Sequence, residues 1–197
     1  MKQITPEALR VAETARTIAL QMLEERGRGA VLVGVARVDA ALQHLLQAVI
    51  APPSLKADEL FLPERPLGSI GAKVALASRL GLIDAGVERA LQALRKLRNA
   101  FAHSAETATL ADREHRDRLA PVVAETRGNP LWTPLQTVLE AQPPSAFGPL
   151  DPPLRDYILL ITILVAFLEA TTQQLKPIQP PVVMSLIGIH CSGEIQR

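Results

Sequence analysis

Residues 66–104 read PLGSIGAKVALASRLGLIDAGVERALQALRKLRNAFAHS, and this stretch decides the fold. Ser69 is an N-cap by residue type, because its hydroxyl oxygen can accept a hydrogen bond from a first-turn N–H. Gly81 ends the short helix that follows, and Leu82 stands where the apolar contact of a C-terminal cap belongs. Asp84 then caps a second helix that reaches His103. Two helices joined by so short a link form an αα-hairpin.

Working outward, the same helical signals recur. On the N-terminal side, 52–66 is an irregular connector holding Pro63 and Pro66. Before it, a helix from about Gly29 to Ile50 carries the apolar stripe Val31, Val35, Val38, Leu42, Leu45, Leu46 and Val49. An earlier helix starts at Thr5, an N-cap, with Pro6 in the first helical position and Glu7 facing the positive helix end. Gly27 stops it. On the C-terminal side, 109–126 reads as a charged helix that Pro121 breaks or restarts, 128–134 as a turn and 135–140 as a short helical piece. A Pro-rich crossover, 142–153, leads into a last helix that Asp151, Pro152 and Pro153 open and that runs to about Leu175. No internal repeat is present.

The expected fold is therefore all-α. It is a single-domain helical bundle over residues 1–176 with an αα-hairpin, a Pro-rich crossover and a last buried helix. The second, fourth and last helices are expected to form its core. An apolar C-terminal tail, 177–197, follows, in which Val182, Val183, Met184, Leu186, Ile187 and Ile189 suit a short strand or an arm laid on a neighbour.

Composition narrows the function classes. In 197 residues the formal net charge is only +1, which gives no global electrostatic case for nucleic acid or membrane. Aromatics are scarce and the apolar residues are mostly Leu, Ala, Val and Ile, as expected of helices packed on helices. The lone Cys191 excludes an internal disulfide framework and fits a reducing compartment. The opening MKQITPEALR has no apolar core segment, so no secretory signal is expected and the location is taken as cytoplasmic. The run YILLITILVAFL at 157–168 is flanked by Arg155, Asp156 and Glu169. It falls short of the roughly 18 apolar residues a membrane span needs, so a buried helix is the expectation.

The richest segment is Arg98-Asn99-Ala100-Phe101-Ala102-His103. On an ideal helix Val87, Leu91, Leu94, Arg98 and Phe101 share a stripe, which would place Arg98 inside an apolar face. A buried guanidinium requires a partner, and Asp39 on the second helix is the candidate. Asn99 and His103, four apart, are neighbours, whereas Arg98 and His103 lie about 140° apart around the helix. Three readings stay open: structural residues at a helix C-terminus favoured by the macrodipole, an RNA-cleaving site, or a ligand- or partner-binding site. The other histidines carry less. His44 stands among Gln residues, His115 lies in a charged helix and His190 is next to Cys191. Arg113, Arg116 and Arg118 alternate with Asp112, Glu114 and Asp117, which reads as a solvated face. No metal-ligand spacing and no phosphate-cradling Gly loop occurs, so neither a metal nor a cofactor is expected.

Over roughly 29–175 the chain resembles the mannitol operon repressor family. The resemblance is carried by Pro66-Leu67-Gly68, Leu80-Gly81-Leu82-Ile83, Leu94-Arg95 and the Arg98…His103 pair, with an apolar helix before and a Pro-rich connector and apolar helix after. It implies a helical protein linked to transcriptional control of sugar-alcohol uptake, repressor-like, without an obvious DNA-reading domain. The function expected from it is regulation through protein or ligand contacts, with no specific DNA binding alone, no membrane and a homo-oligomer, most simply a dimer. Residues 98–103 also resemble the RNxxxH signature of HEPN domains, helical bundles of which many are metal-independent ribonucleases across a dimer interface. That resemblance implies Arg98, Asn99 and His103 as catalytic residues and RNA as the partner.

Overall fold

A computed structural model describes residues 5–25, 27–53, 59–103, 108–142, 150–177, 184–185 and 188–189. Among the described residues seven helices follow one another: α1 Pro6–Met22, α2 Gly27–Val49, α3 Ile70–Arg79, α4 Ala85–His103, α5 Arg113–Thr126, α6 Trp132–Glu140 and α7 Pro152–Gln174. Two two-residue strands, β1 Met184–Ser185 and β2 Gly188–Ile189, pair antiparallel, Met184 opposite Ile189. The protein is an all-α bundle.

Its centre is α7. Every residue from Tyr157 to Ala166 is buried, so the helix is apolar on all sides because it is surrounded on all sides. Its neighbours are α1, α2, α5 and α6. The close approach of α2 depends on Gly34. A Cβ there would lie 2.5 Å from the Tyr157 hydroxyl, which donates to the Val31 carbonyl at 3.0 Å. Burial pushes the Tyr157 phenol far above its usual pKa, so it stays a donor. The expected core of second, fourth and last helices is thus modified. The buried apolar face of α1 (Ala15, Ile18, Ala19, Met22) belongs to the core and α1 packs on α7, while α4 packs on α2, α3 and α5.

The hairpin forms as its caps dictate. Ser69 Oγ accepts from the Ala72 N–H at 3.2 Å, and Asp84 Oδ1 accepts from the Val87 N–H at 2.8 Å. Gly81, at φ +68°, takes the left-handed turn while the Leu82 N–H reaches back to the Ala77 carbonyl at 3.0 Å. Before the hairpin, the connector closes on itself through Leu67 N–H to Leu60 O (3.1 Å) and Gly68 N–H to Arg65 O (2.9 Å), burying Phe61 and Leu67.

Elsewhere the boundaries shift. α2 begins at Gly27, whose φ of +52° turns the chain out of α1, rather than at Gly29. α5 continues through Pro121 without a break. Pro121 lies on the exposed side, so the Asp117 carbonyl it deprives of a donor can bond to water. α6 starts at Trp132, whose burial adds a turn to the expected piece. Residues 143–149 of the crossover lie outside the described residues, as do Val182, Val183, Leu186, Ile187, His190 and Cys191 of the tail. Among the described helices, α2 is long and apolar enough to cross a membrane by length and composition, and ten of its residues are buried in the bundle.

Candidate functional site

The structure separates the residues of the Arg98…His103 segment. The buried face of α4 consists of Ala90, Leu91, Leu94, Leu97 and Phe101, and Arg98 and Asn99 are exposed. The expected burial of Arg98 within an apolar stripe is corrected. Its cause is the unequal length of the hairpin arms. α3 has 10 residues and α4 has 19, and α3 begins beside Arg95, whose Cδ is 3.4 Å from where a Gly71 Cβ would be. Beyond Arg95, α4 outruns α3 by two turns, or about 12 Å at 1.5 Å per residue. The side of the helix that α3 covers at Leu91 is left open at Arg98.

The expected ion pair between Arg98 and Asp39 is corrected as well. Asp39 Oδ1 is taken by Lys73 Nζ at 2.9 Å, and the same ammonium donates to Gln43 Oε1 at 3.1 Å. Lys73 is only 2% exposed. It is the functional-site neighbour that sequence reasoning missed, although a signal was there. Lys73 shares a helix face with Ile70 and Ala77, so a charge stands on the apolar side of a short helix. A buried ammonium requires a carboxylate and further acceptors, and Asp39 and Gln43 supply them.

Asp39, Arg95, Arg98 and Asn99 line one groove with a volume of about 550 Å³. α2 contributes Leu32, Val35, Ala36 and Asp39 to its wall, the start of α3 contributes Gly68 to Gly71, and α4 contributes the two arginines and Asn99. Arg98 Nη1 donates to Asn99 Oδ1 at a long 3.4 Å, and Arg95 Nε donates to Gln92 Oε1 at 2.9 Å. Among the described residues neither guanidinium meets a carboxylate. The size and the few convergent polar groups suit a small-molecule site.

His103 is exposed on the last turn of α4, one turn beyond Asn99, and is not part of the groove wall. Arg28 from the first turn of α2 donates to the Ala102 carbonyl at 3.1 Å, tying the end of α4 down beside His103. His115, expected on a charged face, is buried against Phe101 with ring centroids 4.9 Å apart. The charges around it do form a solvated face, with Arg113–Asp117 and Arg118–Glu114 paired at 3.5 and 2.8 Å. A second groove of about 460 Å³ lies between α4, α5 and α7, where Phe167 is 44% exposed. Its polar rim is already engaged, Asp84 in the α4 cap and Glu125 with Arg89 at 3.0 Å. No group of His, Cys, Asp and Glu that could hold a metal ion occurs among the described residues.

No protein-family model matches the chain, and neither a curated protein nor a solved structure matches it.

Proposed function

We propose that this protein is a regulatory protein similar in kind to the mannitol operon repressors, acting in the cytoplasm through a ligand or protein partner held at the α2–α3–α4 groove. One observation carries the reading. Arg98 and Asn99 face solvent in a groove with Asp39 and Arg95, although helix spacing set Arg98 in an apolar stripe. Exposed arginines without carboxylate partners add little to stability and are available for recognition. We read α4 as a core helix and not as a DNA-reading one, a reading supported by the burial of Leu91, Leu94, Leu97 and Phe101. Regulation is therefore assigned to contacts with other molecules, in a homo-oligomer, and the protein alone does not select a DNA sequence.

The test is transcriptional. Deleting the gene alters a small set of transcripts, and replacing the chromosomal copy with Arg98→Ala and Asn99→Ala reproduces the change while the protein stays folded. Unchanged transcripts in the deletion strain overturn the reading.

A second reading, a HEPN-type endoribonuclease, is favoured by the exposure of Arg98, Asn99 and His103 together on the last two turns of α4. His103 would accept the proton of a 2′-hydroxyl as its oxygen attacks phosphorus, the bond to the 5′-oxygen would break to leave a 2′,3′-cyclic phosphate, and the leaving 5′-oxygen would take a proton from water. Arg98 would hold the extra negative charge and Asn99 would orient the phosphate. Arg98 and His103 lie about 140° apart on the helix, so the site would draw on two chains. Cleavage of RNA in EDTA, abolished by His103→Ala, supports it. No cleavage, or cleavage that survives His103→Ala, removes it.

A further inference from the structure

We infer that the α2–α3–α4 groove is a binding site for a small organic phosphate, a phosphate monoester on a short carbon chain. This deepens the ligand-bound form of the regulatory reading and rests on it.

Among the described residues the charge at the groove is positive. Arg95 and Arg98 are three apart on α4, so their stems leave the same side of the helix. The acid that shares the groove, Asp39, is neutralised by Lys73 at 2.9 Å, which leaves two guanidinium groups without a counter-charge among the described residues. Forked guanidinium donors suit a phosphate with several free oxygens. Gly71, in the first turn of α3, presents no side chain to the groove, and the Arg95 stem lies within ordinary contact distance of it. The N–H groups of Ile70 and Gly71, at the start of α3, have no carbonyl one turn behind them within the helix. They add the positive end of α3 to the same place.

The rest of the groove sets the remainder of the ligand. Leu32, Val35 and Ala36 form an apolar wall for a carbon chain. Asp39 and Asn99 offer an acceptor and an amide to any hydroxyl it bears. A volume of about 550 Å³ holds one such molecule. A polynucleotide fits less well, because it needs a basic track extending past the groove. The net charge is only +1 and the arginines of α5 at 113 and 118 are paired with acids.

Calorimetry on the full-length protein tests the inference with four probes: glycerol 3-phosphate, glycerol, inorganic phosphate and a short single-stranded oligoribonucleotide. Glycerol 3-phosphate is expected to bind saturably, inorganic phosphate more weakly and glycerol not at all. Arg98→Ala, at an exposed position, should weaken glycerol 3-phosphate about tenfold or more, as loss of a charge-assisted hydrogen bond does. Arg95→Gln should do the same, and Arg113→Ala on α5 should not. Absence of saturable binding at millimolar concentration, binding unaffected by both groove variants, or tighter binding of the oligoribonucleotide at the same residues overturns the inference. A transcript response to gene deletion without phosphate binding removes the phosphate and keeps the regulatory reading. Phosphate binding without a transcript response does the reverse.

Discussion

Lys73 Nζ lies 2.9 Å from Asp39 Oδ1, a link between α3 and α2 in which the ammonium is buried and the carboxylate is partly open to the groove. The pair does two things at once. It anchors the short arm of the hairpin to the helix that supports α7, and it neutralises the acid that lines the groove with Arg95 and Arg98 among the described residues. The two partners are unequal. Taking away the carboxylate leaves a buried cation, whereas taking away the cation leaves an acid that water can reach.

Asp39→Ala is therefore expected to destabilise the fold by about 3 kcal/mol, the low end for breaking a buried pair because Asp39 is partly hydrated. Lys73→Met should stay within about 1 kcal/mol of the parent, since methionine fills the same channel without a charge. The double variant should recover much of the loss in urea unfolding, because it no longer holds an unpaired cation. An Asp39→Ala variant as stable as Lys73→Met would show that the pair is not buried in solution.

Gly34 and Tyr157 make the contact between α2 and α7 as close as it is. Alanine normally favours a helix interior over glycine by about 0.5–1 kcal/mol. Here Gly34→Ala should instead destabilise by about 1–3 kcal/mol, because its Cβ would meet the Tyr157 hydroxyl at 2.5 Å. Tyr157→Phe removes that oxygen and should rescue part of the loss in thermal unfolding, even though alone it loses the bond to Val31. Equal losses for Gly34→Ala in both backgrounds would contradict the contact.

Gly68 has no room for any side chain, since a Cβ there would collide with the backbone carbonyls of Leu62 and Pro63. Backbone cannot yield as a flexible side chain does, so Gly68→Ala should open the 59–68 connector. It should also lower stability by about 1–3 kcal/mol. Limited proteolysis should then cut within 59–68 faster than in the parent, and an unchanged digestion pattern would refute the claim.

Asp112 carries a pH dependence whose sign can be worked out. Its carboxylate accepts from the Thr109 N–H and from Thr109 Oγ1, each at 2.9 Å, and these bonds, the backbone one foremost, hold it below its ordinary value of 3.8. A carboxyl whose pKa is lowered by folding contributes stability above the unfolded value and loses it as pH falls through the folded one. Asp112→Asn should thus be slightly less stable than the parent near neutrality, with the gap closing as the pH drops below about 4. A gap that stays constant from pH 7 to pH 3 in thermal melts would exclude this role.

The chain sequence alone determined the helices and their joints. Thr5, Ser69 and Asp84 cap helices as their side-chain chemistry requires, and Gly81 reverses the chain because only glycine enters that backbone region freely. The run at 157–166, apolar but for Thr162, is too short for a membrane span and apolar on every side, as a helix enclosed by others is. All of these are local rules, read within single helices and the turns that join them. What the tertiary structure decided is which charge meets which. Ideal-helix spacing put Arg98 among buried residues, but spacing has no knowledge of where the covering helix ends. α3 begins beside Arg95, and Arg98 is left in the open. Asp39 is the candidate partner that the sequence offers Arg98, yet it is paired with Lys73, 34 residues away and brought to it by the fold. Burial of a charge is a property of the space around it, and that space is fixed only when helices of unequal length have docked.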